Sequence, residues 1–234
     1  VDAVSWIFLY RVFTSHMTGN TAWLGSSIAQ GNWTDVLRHG WVIVPFLGGL
    51  LFSAATTASA RRRGFHASFS LALVSEAILI LVFIWLGTRP SQNSIPNYWL
   101  ISLPAAAMGM QTVTVTRIAG LRVYTTYVTG TLSKFAEAIV EYAYWFYDRT
   151  RNRFRRRAAK VIRVTPRQKS ARHAALTAAL WITFLFGAFS GAALNANFGL
   201  PCLFAPAAML AAAVVVDLVS PVDAADDPRP WDDQ

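Results

Sequence analysis

The chain has 234 residues, 54% of them hydrophobic and 14% charged, where an ordinary soluble domain is about a quarter charged. Its formal net charge of +9 is unevenly spread: 11 of the 21 Lys and Arg residues lie between positions 149 and 172, and three more form Arg61–Arg63. The long, nearly uncharged runs between these clusters exclude a water-soluble enzyme and point to a membrane protein, and the basic excess is a loop property rather than a nucleic-acid signal.

Taken in chain order, residues 1–13 and 21–30 are apolar pieces on either side of "RVFTSHMTGN" at 11–20. Residues 41–60 carry no charge, 67–88 carry only Glu76, and 98–116 carry none. A near copy of the decapeptide, "RVYTTYVTGT", follows at 122–131, offset by 111 residues. Residues 132–147 are amphipathic, and 174–194 and 198–216 are again uncharged. Four of these runs reach or approach the ~20 residues a spanning helix needs. The pieces beside the first decapeptide are too short to cross alone, but together they make one broken span. The chain starts with Val, so a missing piece ahead of residue 1 is expected. No signal peptide is visible.

Basic loops stay in the cytoplasm. Placing both Arg61–Arg63 and loop 148–173 inside gives three spans, an external loop at 88–97 and three more spans, with both termini cytoplasmic. The alternative of four plus four spans puts the 11-charge loop outside. The expected fold is therefore all-α: a polytopic bundle of about six spans, built as two inverted three-span repeats with broken first helices. Repeat one covers 1–88 and repeat two 98–219, within a single transmembrane domain at 1–222, followed by an acidic, disordered tail at 223–234. "PFLGGLLFSA" at 45–54 resembles "TFLFGAFSGA" at 183–192, aligning Gly49 and Ser53 with Gly187 and Gly191. Small residues one turn apart let helix backbones approach closely in lipid. Trp33, Trp41, Trp85, Trp99 and Trp145 fall near span ends, as an aromatic belt would.

Broken helices of inverted-repeat transporters meet near the midplane, where freed backbone and polar side chains face a solute. Thr18, Gly19 and Asn20, with Thr129, Gly130 and Thr131, are the candidate substrate-binding breaks, joined by Gln111. Each Thr-Gly also reads as a helix start, with Thr as N-cap. Paired N-termini would favour an anionic or carbonyl-bearing solute. The bland reading is a cap on an interfacial helix. It fits the second copy well, because Lys134, Glu137 and Glu141 lie opposite Leu132, Phe135, Ile139 and Phe146. Four charged residues are candidates for coupling or gating: Asp2, Glu76, Arg11 and Arg122. A carboxylate in hydrocarbon costs on the order of 3 kcal/mol, so Glu76 reads either as a proton- or cation-coupling group or as half of an ion pair with Arg11 or Arg122.

"VDAVSW" at 1–6, "HMTGNT" at 16–21, "LVSEAILI" at 73–80, "MGMQ" at 108–111 and "TTYVTGTL" at 125–132 together resemble the YoaK family of bacterial integral membrane proteins. The resemblance covers almost the whole chain except the basic loop and the acidic tail. It implies a membrane architecture and assigns no biochemical activity.

No GxSxG, HExxH or phosphate-loop motif is present, so no enzyme, cofactor or metal is expected. His39, His66 and His173 sit at expected loop edges without metal spacing. Cys202 is the one cysteine, which leaves no internal disulfide. The expected partners are the bilayer, anionic headgroups at the basic loop and a small-molecule solute, with no nucleic acid; homo-oligomerisation is left open. The expected function is a secondary transporter or permease for a small polar or anionic solute in the bacterial inner membrane. The alternative is a non-transporting scaffold or sensor that uses its basic loop and acidic tail.

Overall fold

A computed structural model of the chain describes residues 1–9, 12–64, 69–89, 98–118, 128–151, 165 and 168–219. Arg11, Arg122, the external loop 90–97, most of the basic loop and the acidic tail lie outside the described residues. The described secondary structure is all helical: α1 (Asp2–Phe8), α2 (Met17–Ala29), α3 (Trp33–Arg62), α4 (Ser70–Gly87), α5 (Tyr98–Ile118), α6 (Val128–Thr150), α7 (Lys169–Phe198), a 3-10 turn (Leu200–Leu203) and α8 (Phe204–Val219). Among the described residues, four stretches are long and apolar enough to cross a membrane: α3, α4, α7, and the 3-10 turn with α8. The chain packs as two units, one formed by Val1–Val123 with the chain from Ala188 onward, the other by Tyr124–Gly187. Each is described by itself.

In the first unit, α2 and α3 form a tight hairpin. Gly31, at φ 69°, supplies the left-handed residue that ends α2. Asn32 then caps α3, its Oδ1 accepting from Asp35 N at 3.3 Å, and Asp35 pairs with Arg38 at 2.9 Å. This cap starts α3 at Trp33, eight residues before the uncharged run at 41–60 begins.

The helix α5 is the centre of the unit, packed against both α3 and α4. It runs parallel to α3: Trp41 Nε1 donates to Ser102 Oγ at 2.8 Å, and Gly49 lies on Ala106 further along both helices. A Cβ on Gly49 would be driven into the Ala106 carbonyl, and one on Gly109 into the Phe46 carbonyl. The expected close approach therefore occurs at Gly49, against the small residues of "AAAMG" at 105–109. At Gly187, by contrast, an added Cβ would meet nothing within 4 Å. Pro45 and Pro104 each remove a ladder bond within these helices.

The last helix, α8, runs antiparallel to α4. Leu200 packs at Gly87, while Ser70 Oγ donates to Asp217 Oδ2 at 2.7 Å at the other end. The short α1 runs in the same sense as α4, with Phe8 edge-on to Phe83 at 6.0 Å and beside Gly87. The last turns of α7 lie next to α1, with Val4 3.6 Å from the Cβ position of Gly191. A core of Val4, Leu9, Val42, Ile80, Phe83 and Ile101 ties these helices together. One end of the unit carries Arg61–Arg63. The other carries Trp33, Trp41, Trp85 and Trp99, with Trp41 edge-on to Trp99 at 6.4 Å and Arg89 lying 3.7 Å over the Trp85 ring.

In the second unit, α6 presents Leu132, Ile139, Val140 and Tyr147 as exposed apolar residues on one side. Lys134, Glu137, Glu141 and Asp148 fall within one polar sector by helical spacing. Tyr142 stacks on Trp145, and its hydroxyl lies 2.9 Å from Thr165 Oγ1.

Candidate functional site

The first Thr-Gly copy is organised by Asp2. Its Oδ1 accepts three hydrogen bonds, from Thr14 N at 2.8 Å, Thr14 Oγ1 at 2.9 Å and Ser15 N at 2.9 Å. These bonds bring residue 14 back beside residue 2. The link between α1 and α2 is therefore a chain reversal, not a local interruption of one straight span. Asp2 holds a buried loop in place, with Thr14 fully buried.

Asn20 continues the same polar thread. Its Nδ2 donates to Phe13 O at 2.7 Å, and its Oδ1 lies 3.3 Å from His39 Nδ1. An amide oxygen only accepts, so His39 carries its proton on Nδ1 in this contact. Trp23 stacks on the same imidazole at 5.8 Å. His39 is thus a buried α3 residue and not a loop-edge one. Sequence spacing missed it because α3 begins well before the apolar run.

Thr18 and Gly19 lie in the first turn of α2, and Thr129 and Gly130 in the first turn of α6. Both copies therefore open helices, as expected. In the first copy the N-cap position belongs to His16, without a side-chain cap bond, and not to Thr18. A Cβ on Gly19 would displace the exposed His16 imidazole, which ends a row of rings formed by Trp6, Phe13 and His16. Thr18 and Thr129 are exposed, and Gly19, Gly130 and Thr131 are half-buried.

Glu76 is 1% exposed, and its Oε2 has no hydrogen-bond partner. Ser53 Oγ, Thr57 Oγ1 and Ser5 Oγ are likewise buried and unpartnered. At 1.5 Å of rise per residue, Glu76 sits about 9 Å from the Ser70 end of α4. Thr57 and Ser53 sit about 8 and 13 Å from the Arg62 end of α3, and Gln111 about 10 Å from the Ile118 end of α5. These ends lie on the same side, so the four residues share one layer of the bundle. Asp2 joins it: α1 runs in the same sense as α4 with Phe8 against Phe83, so Asp2, about 9 Å back along α1, falls near the level of Glu76, about 10 Å back along α4. Buried polar atoms are normally paired, so a layer with several unpaired ones retains unmet hydrogen-bonding capacity. Among the described residues, no group of His, Cys, Asp and Glu is arranged to hold a metal.

A helix bundle with spans of this length and apolarity, holding a carboxyl and several hydroxyls in its interior, defines a polytopic membrane protein. The chain belongs to the family described as "Protein of unknown function (DUF1275)", whose profile matches residues 1–216. It is 28% identical over 139 residues to the UPF0700 transmembrane protein YoaK of Bacillus subtilis (strain 168). That match covers 59% of this chain and 61% of the relative's length, and it bears out the YoaK resemblance. No solved structure matches.

Proposed function

We propose that the protein is a secondary transporter or permease for a small polar or anionic solute. In this reading it sits in the bacterial inner membrane as six spans with both termini cytoplasmic, and it performs no chemical step on its solute. The observation that carries the proposal is the buried carboxyl of Glu76, with an unpartnered oxygen, in a layer with the unpartnered hydroxyls of Ser53 and Thr57. A group of this kind inside a membrane bundle suits proton or cation coupling, because it gains a partner only when the layer admits one. An inverted repeat is supported by helix sense: α8 opposes its counterpart α4, the end of α7 opposes α3, and α1 opposes α5.

The solute would then contact Glu76, Ser53, Thr57 and Gln111, with Thr18 and Gly19 at the start of α2 in the same unit, while Thr129, Gly130 and Thr131 open α6 in the other unit. Asp2 and Asn20 already use their polar atoms internally, which makes them positioning residues in this scheme. Arg11 and Arg122 remain candidates for gating at the two repeats. A membrane scaffold or sensor is the second reading, favoured by the exposure of Thr18 and Thr129.

The test is flux in proteoliposomes across a panel of organic anions, amino acids and polar metabolites, with an internal pH dye. Transport predicts solute-dependent flux, abolished by Glu76→Gln and reduced by Thr18→Val. Flux that survives Glu76→Gln unchanged removes the coupling role. No flux with any solute, from protein shown to be folded, favours the scaffold.

A further inference from the structure

A groove of about 660 Å³ opens between α3, α4 and α8 at the Arg61–Arg63 end of the first unit. It includes neither Glu76 nor a Thr-Gly pair in its lining. Ala55, Ser59 and Arg63 line it from α3, Leu71 and Val74 from α4, and Leu218 from α8. From Arg63 to Ala55 it extends about 12 Å along the helix. The walls are mostly apolar, and the small side chains of α3 make the space. Arg63 stands just past the end of α3, where a spanning helix meets the headgroup region, and is exposed.

We infer that this groove binds one phospholipid with an anionic headgroup, its phosphate on Arg63 and the first part of an acyl chain along Ala55, Leu71, Val74 and Leu218. Charge complementarity selects this occupant: a guanidinium at the mouth pairs with a phosphodiester, while the apolar interior rejects a free polar ion. One carboxylate, Asp217 of α8, lies at this same end of the groove, and it decides which side of the mouth takes the phosphate. Asp217 Oδ2 accepts the Ser70 hydroxyl proton at 2.7 Å, and its Oδ1 is buried. The Ser70 hydroxyl is therefore already committed and sits beside negative charge. The phosphate belongs on the α3 side of the mouth, at Arg63, where the Ser59 hydroxyl also lines the groove.

Native mass spectrometry of the full chain in detergent tests this. The probes are dioleoyl phosphatidylglycerol, dioleoyl phosphatidylcholine and inorganic phosphate. One phosphatidylglycerol should be retained about tenfold better than phosphatidylcholine, roughly the ratio that one charge-assisted hydrogen bond supplies. Arg63→Gln should remove that preference. Ala55→Leu, which fills the groove and keeps the charge, should lower retention about tenfold. Arg62→Gln, the same charge change outside the lining, should leave it unchanged. Equal loss in Arg62→Gln and Arg63→Gln would mean diffuse surface charge and overturn the site. So would equal retention of phosphatidylcholine, or full competition by inorganic phosphate. If Ala55→Leu does not fold, the two arginine variants still decide the matter.

Discussion

The helices α5 and α7 carry opposite lessons about hydropathy. The first is the most enclosed helix of its unit, with Ile101, Ala105, Ala107, Met108, Met110 and Thr114 buried. Yet it is not among the four stretches apolar enough to cross on composition. The 30-residue α7 passes that test easily, and none of its most apolar window is buried within the protein. Apolar surface is what lipid contact demands, whereas interior positions in a membrane bundle select small and polar residues that let backbones meet. In this family member, hydropathy understates the helix at the centre of the first unit.

Substitutions can break or sharpen that contrast. The largest effect is expected at the α3–α5 contact. Gly49→Leu drives a side chain into the Ala106 carbonyl, and should cost about 3 kcal/mol or more or abolish folding, read as lost monodisperse protein on size-exclusion chromatography. Next is Asp2→Ala, which strands two backbone donors and a hydroxyl of the loop at 14–15. It should cost about 2–3 kcal/mol, measured by thermal melting in detergent. Smaller and opposite in sign is Glu76→Gln: replacing an unpartnered buried carboxyl with a neutral amide should leave melting unchanged or raise it by a few degrees while abolishing coupled flux. The smallest is Phe189→Leu on the exposed side of α7, expected within about 0.5 kcal/mol of the parent; a large loss there would show that α7 is covered by protein rather than lipid.

Much of the bundle could be read from the sequence, because uncharged runs mark spans directly. The ends of α4 fell within three residues of the run at 67–88, whereas α7 starts five residues before the run at 174–194, inside the loop expected at 148–173, and ends four after it; "PFLGGLLFSA" correctly marked a close helix contact at Gly49. Its counterpart at Gly187 did not, because close approach needs small residues on both partners and α5 supplies them through "AAAMG". The reversal between α1 and α2 was hidden. It depends on one carboxylate reaching residues 12 and 13 positions ahead, and local periodicity carries no trace of such a bond. His39 was misplaced because the cap at Asn32, not the hydrophobic run, sets where α3 starts. Asp217 escaped notice just beyond the last uncharged run, although a carboxylate at the end of a span is a signal that could have been followed. Glu76 needed no structure to find, since a single charge in "LVSEAILI" is conspicuous; its unpartnered oxygen did.

The central claim is that the layer holding Glu76, Ser53 and Thr57 opens to water during the protein's working cycle. Cysteine labelling tests it most directly, with Thr57→Cys in a Cys202→Ser background and a small, charged, membrane-impermeant thiol reagent applied to right-side-out and inside-out vesicles. Labelling of Thr57→Cys from at least one side, blocked by a transported solute, is the expected result. If Thr57→Cys stays unlabelled from both sides while Arg62→Cys reacts readily, the layer is a sealed core and the transporter reading fails.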